Sequence, residues 1–61
     1  MTILFKLNDE RQTLIKESES YQIPSVHDFL IIEKIKYQVL SKIFHIESDV
    51  VDVIVHQIIE N

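Results

Sequence analysis

"DVVDVIVHQIIEN", residues 49–61, is the stretch on which the fold turns. It is rich in β-branched residues, whose side chains suit a pleated surface, so a strand has to be considered first. The polar positions point the other way. Asp49, Asp52, His56 and Glu60 are spaced three, four and four apart, which scatters them over both faces of a strand. On a helix they align as one stripe, opposite Val51, Ile54, Val55 and Ile58. The spacing predicts a helix over 48–60, capped by Ser48 after the interrupting "HIES".

Upstream, "PSVHDFL" (residues 24–30) places Ser25 as an N-cap with Asp28 three residues on, an acidic version of the capping box. From Val26 to about Phe44 the apolar positions are broken at helical spacing by Glu33, Lys34, Lys36, Gln38 and Lys42. A second helix is expected there, with an apolar sector wide enough to need two neighbours. Before it, Asn8 or Asp9 caps a first helix over 9–21, with Leu14, Ile15, Ser18 and Tyr21 on a narrow face. That helix ends ahead of Pro24. "TILFKLNDE" (residues 2–10) alternates, with Ile3, Phe5 and Leu7 on one side and Thr2, Leu4, Lys6 and Asn8 on the other. This is the period of a strand with one buried face. The expected chain is mainly α: a short strand followed by three helices.

A chain of 61 residues makes one small domain with a marginal core. It has no cysteine, and its three histidines (His27, His45, His56) show no close pairing that suggests a zinc cage. Oligomerisation is the stabilising device left. Apolar residues make up 46% of the chain, too many for disorder. The longest apolar runs, such as Phe29 to Ile32, fall far short of the roughly 20 residues that span a bilayer. Met1 leads directly into the strand with no signal segment, and the absence of cysteine fits the cytoplasm. A soluble cytoplasmic protein is expected.

The net charge of −4 is unevenly distributed. Residues 1–44 hold six basic and six acidic side chains, and 45–61 hold Glu47, Asp49, Asp52 and Glu60 with no Lys or Arg. The expected division is therefore a neutral core, 1–44, and an acidic C-terminal helix, 45–61.

No catalytic constellation stands out. Ser25, His27 and Asp28 are the residue types of a triad, but their spacing at a helix start does not let them converge. Asp52, His56 and Glu60 share a helical stripe that reads as a solvated polar face before a weak metal site. Without glycine there is no phosphate-cradling loop. The expectation is no enzyme, no metal and no cofactor.

"TILFKLNDE" followed by "PSVHDFL" resembles the ribbon-helix-helix family of DNA-binding regulators. The resemblance runs from Thr2 to about Leu40 and is carried by the alternating strand, its acidic helix start, and Ser25, Val26, Asp28, Phe29 and Leu30. Two positions depart from the family pattern: Ile23-Pro24 stands where a glycine corner is usual, and Leu4 sits on the outward strand face. The resemblance implies an intertwined homodimer whose paired N-terminal strands enter the major groove. It also implies a cytoplasmic transcriptional repressor with operator DNA as its partner. Thr2, Leu4 and Lys6 would then meet base edges, and the amides of Ser25 and Val26 a phosphate. The alternative reading is an acidic protein-binding adaptor or inhibitor, antitoxin-like or phage-type, acting on a protein partner through the third helix. Neither reading involves a membrane.

Overall fold

The computed structural model describes residues 1–20 and 22–59. It is all-β among those residues, with strands β1 (Thr2–Leu7), β2 (Leu14–Glu19), β3 (Phe29–Ile32), β4 (Ile35–His45) and β5 (Val50–Gln57). They form one sheet in the order β2-β1-β5-β4-β3. The β1/β5 pair is parallel, and the β1/β2, β3/β4 and β4/β5 pairs are antiparallel. The sheet curls into a nearly closed barrel. Ile3, Val39, Val51, Val53 and Val55 are sealed inside it, and Ile23, on the connection between β2 and β3, packs against them.

The mainly α, ribbon-helix-helix arrangement is therefore not the fold of this chain. Its first strand was placed correctly, and so was that strand's inward face, since Ile3, Phe5 and Leu7 pack the core. Its partner was not. Instead of a copy of itself, β1 lies between β2 and β5, with both edges hydrogen-bonded inside one chain.

The predicted helix over 48–60 is a turn followed by β5. Five of the six residues at 50–55 are β-branched. A central strand must present apolar atoms to both sides, so a near-continuous apolar run is what such a strand requires. The polar residues that suggested a helical stripe have separate explanations. Asp49 sits in the β4–β5 turn at φ 55°, a left-handed conformation that Asp tolerates better than most residues. Asp52 is buried among charge partners on adjacent strands. His56 Nε2 lies 3.2 Å from Gln38 Oε1 of β4. Glu60 lies outside the described residues.

The predicted helix over 26–44 is the β3–β4 hairpin. Glu33 and Lys34 form its two-residue turn with φ of 50° and 70°. Positive φ at both positions is the turn whose twist matches a hairpin, usually supplied by Asn-Gly. A bulge between Val39 and Ser41 then shifts the phase of β4. Tyr37 and Val39 face the core, whereas Ser41, Ile43 and His45 lie on the same side as Ile54 and Asp52. Two strands of different phase, laid on one helical wheel, produce the wide apolar sector that looked like a doubly buried helix.

The predicted helix over 9–21 is a loop and β2, with Tyr21 outside the described residues. Asp9 does act as a cap, but for a hairpin loop. Its carboxylate accepts from the Thr13 amide at 3.0 Å and the Thr13 hydroxyl at 2.8 Å. Those two bonds, the hydroxyl's first, hold its pKa below the ordinary carboxylate value. Asp28 likewise accepts from the Ser25 amide at 2.9 Å, half of a capping box, while its own amide donates to the Ser25 carbonyl at 3.0 Å. That closes a β-turn with His27 at φ 77°, not a helix start.

Candidate functional site

Two regions hold chemistry that the core does not need. One is a charged cluster on the outer face of the sheet. In the parallel register Leu4 lies opposite Asp52 and Lys6 opposite Ile54, so Lys6 reaches diagonally to Asp52. Lys6 Nζ is 3.1 Å from Asp52 Oδ2, and His45 Nε2 of β4 is 3.0 Å from the same oxygen. Asp52 is only 5% exposed, and its Oδ1 has no hydrogen-bond partner among the described residues. Burial pushes its carboxyl upward as the largest single influence. The hydrogen bonds and charges of His45 and Lys6 outweigh that and leave the pKa below the ordinary carboxylate value. The cluster thus ties β1, β5 and β4 together.

The other region is the free edge at β3. Val39 N–H donates to the Asp28 carbonyl at 2.9 Å, and the register sets Leu30 opposite Tyr37 and Ile32 opposite Ile35. Bonded and non-bonded pairs alternate along an antiparallel ladder. Leu30 and Ile32 therefore turn their backbone groups toward β4, and Phe29 and Ile31 turn theirs outward. Nothing among the described residues pairs with that edge. The Phe29 and Ile31 side chains are 58% and 75% exposed and share the outer face with Lys36, whose Nζ stands 4.8 Å over the Phe29 ring. Beside the edge, on its core side, an open cleft of about 430 Å³ is lined by Phe5, Gln22, Ile23, Pro24 and Leu30. The edge thus offers unpaired backbone groups, an apolar strip on one face and a cleft on the other. Ile43, Phe44 and Ile46 are also exposed, but Ile43 and Phe44 point to opposite faces and Ile46 is in a turn, so they make no strip.

The structure divides the residues proposed to read DNA. Thr2, Leu4 and Lys6 do share one face of β1. The Thr2 hydroxyl is bonded to Glu19, and Lys6 is engaged by Asp52. Ser25 and Val26 lie ahead of β3, at the far end of the strand order, where the Ser25 amide serves Asp28. No helix N-terminus stands there. Asp52 and His56 fall on one face of β5, and no group of three or more metal-ligating side chains converges among the described residues.

The β3 edge is hidden in the sequence pattern, where Phe29 and Ile31 fall in the apolar sector of the expected second helix. The available signal was a four-residue apolar run, "FLII", between the turn formers of "PSVHD" and the charged pair Glu33-Lys34. Among the described residues no helix is long and apolar enough to cross a membrane. Comparison with family models, curated proteins and solved structures finds no match for the chain.

Proposed function

We propose that this chain is a small protein-binding module, of the adaptor or inhibitor class, that captures an extended segment of a partner by strand addition at β3. The observation that carries the reading is the unpaired edge itself: outward backbone groups on Phe29 and Ile31, with both side chains exposed. In this mode the main chain supplies affinity and alternate side-chain sites supply selectivity. An incoming strand would send one set of side chains over Phe29 and Ile31, and the other set toward the cleft at Ile23, Pro24 and Leu30. The preferred ligand is therefore an uncharged, apolar segment of about four to six residues.

The test is selection of random peptides on the immobilised protein, with Ile31→Pro as counter-target. Proline removes the outward N–H of residue 31 without touching the ladder to β4. Selected peptides should be apolar at alternate positions and lose binding to Ile31→Pro. Peptides that bind both proteins equally would move the site away from this edge. Operator binding, the reading that the family resemblance implies, is separated by a salt titration with duplex DNA. Steep loss of affinity with salt marks a phosphate-neutralising binder, and an acidic chain whose Lys6 is ion-paired is expected to show no such binding.

A further inference from the structure

We infer that, in the absence of another ligand, the β3 edge is occupied by the β3 edge of a second copy, giving a two-fold dimer with a continuous ten-stranded sheet. The inference rests on the reading of β3 as a strand-addition edge and names one partner for it. Three observations select a copy of this chain. The first is register. Only Phe29 and Ile31 present outward backbone groups on β3, so an antiparallel copy must set those residues opposite one another. Pairing Phe29 with the copy's Ile31, and Ile31 with the copy's Phe29, satisfies all four outward N–H and C=O pairs at once. The two-fold axis then passes between the two Leu30 residues. This register also stacks aromatic on β-branched side chains across the strands, a favourable pair on an antiparallel face.

The second observation is the cleft. Leu30 lies on the core face and lines the opening with Phe5, Ile23 and Pro24. In this register each chain's Leu30 meets the cleft of the other. The third is charge. The chain carries −4, so two copies repel at most approaches, but "FLII" itself contains no charge, and the cation on its outer face, Lys36, stands over the Phe29 ring of its own chain. The opposite edge, β2, carries Lys16, Glu17 and Glu19, which discourages pairing there. One adhesive edge per chain closes the assembly at two. The contact is small, so the dimer is weak and concentration-dependent.

The experiment is sedimentation equilibrium of the whole chain over a wide concentration range, alongside Ile31→Pro, Ile31→Lys and cysteine variants. Wild type should show a reversible monomer–dimer equilibrium. Ile31→Pro removes one donor per chain, two bonds per dimer, and should weaken the dimer by about tenfold or more while keeping the wild-type circular dichroism spectrum. Ile31→Lys gives the same result through the side chain, should the proline variant not fold. The register makes a sharper demand. The chain has no cysteine of its own, so a single Leu30→Cys should cross-link to its copy on mild oxidation. Two residues facing each other at a non-bonded position have Cα atoms about 4.5 Å apart, within disulfide reach. Phe29→Cys and Ile31→Cys should cross-link far more slowly. Efficient cross-linking through Ile31→Cys with little through Leu30→Cys would overturn the register. A wild type that stays monomeric at all concentrations, yet selects peptides that Ile31→Pro loses, would remove the second copy and leave strand addition standing. A dimer unchanged in both Ile31 variants would overturn the dimer as drawn here, and peptides indifferent to Ile31→Pro would overturn strand addition itself.

Discussion

The two edges of this sheet are built to opposite rules. β2 ends the sheet with "LIKESE", and Lys16, Glu17 and Glu19 along it are exposed. β3 ends it with "FLII", no charge, and two large apolar side chains in solvent. Free edges are ready templates for another chain, and charged residues are a common way to blunt them. The chain protects one edge and leaves the other adhesive. An edge that is merely tolerated would be expected to carry the same charges as its counterpart, so the asymmetry is the argument that β3 is used.

The comparison depends on which backbone groups of β3 face outward, and the largest effect tests that. Leu30→Pro removes an N–H that bonds inward to Tyr37 and empties part of the packing at Ile23 and the core. The lost bond, the carbonyl left without a donor and the lost side-chain burial sum to about 3–5 kcal/mol. A domain of this length has a stability of roughly 3–9 kcal/mol, so this variant should lose a large part of its stability, read by circular dichroism as a large fall in the melting midpoint. Ile31→Pro, one residue along, should melt close to wild type. Equal damage at both positions would show that the ladder has the other phase.

A second effect concerns what holds the two edges in one sheet. Asp52 joins β1, the neighbour of the charged edge, to β4, the neighbour of the apolar one. Asp52→Ala strands the largely buried Lys6 ammonium and should cost about 1–3 kcal/mol in urea denaturation. The pH dependence follows from the depressed carboxyl pKa. A group more acidic in the folded chain than in the unfolded one contributes stability that is present above about pH 4. That stability is lost as pH falls through the folded value. Asp52→Asn should therefore lose stability at neutral pH and show a shallower acid limb than wild type. Asp9 has a lowered pKa of the same sign, so Asp9→Asn serves as the control that isolates the buried group.

The turn that feeds the adhesive edge gives a smaller effect, of opposite sign. Glu33 and Lys34 both hold positive φ, where a residue with a Cβ is strained by roughly 1–2 kcal/mol relative to glycine. Lys34→Gly should raise stability by about 0.5–1 kcal/mol, because the unfolded chain also gains freedom. Thermal melting at fixed concentration measures it. A loss of stability would mean that Lys34 makes a contact worth more than the strain.

The absence of glycine also governs how much of the fold could be read in advance. β1 was legible because its alternation is strict and its faces sort cleanly, with Ile3 inside and Thr2 outside. Asp9, offered with Asn8 as a cap, and Asp28, offered as the capping-box partner of Ser25, are legible as capping residues, but capping chemistry is shared by helices and turns, and only the backbone beyond the cap tells them apart. "IKYQV" at the start of β4 alternates as well as β1 does. It was hidden because the turn before it is Glu33-Lys34, a pair that reads as helix surface when no glycine marks the reversal. β5 failed for a different reason. Polar spacing suggests a solvated stripe, whereas Asp52 is polar and buried, paired with Lys6 from the other end of the chain and with His45 across the β4–β5 turn. At the site, Lys6 stands out in the sequence by its place on the outward face of β1, but its ion pair exists only because β5 lies beside β1. Phe29 and Ile31 look like core residues in any one-dimensional reading, since exposure of an apolar side chain is a property of the assembled edge.

The smallest change in stability tests the comparison most directly. Lys16 and Glu17 lie opposite Phe5 and Leu4 on the protected edge, and both are exposed. Replacing them together by valine removes one positive and one negative charge, so the net charge stays at −4 and general repulsion between copies is unchanged. Surface substitutions of this kind alter stability by less than about 0.5 kcal/mol, and valine suits a strand. The association behaviour should change completely. A chain with one adhesive edge stops at a dimer, but one with two has no closing operation and adds copies at both ends. Light scattering of Lys16→Val/Glu17→Val should grow with time and concentration without limit, while wild type never exceeds the size of a dimer. Adding Ile31→Pro to the pair should return the growth to a limit, because only the new edge is then adhesive. If the double variant remains as small as wild type, charge is not what protects β2. The contrast between the edges would then have to be sought in strand twist and not in side chains.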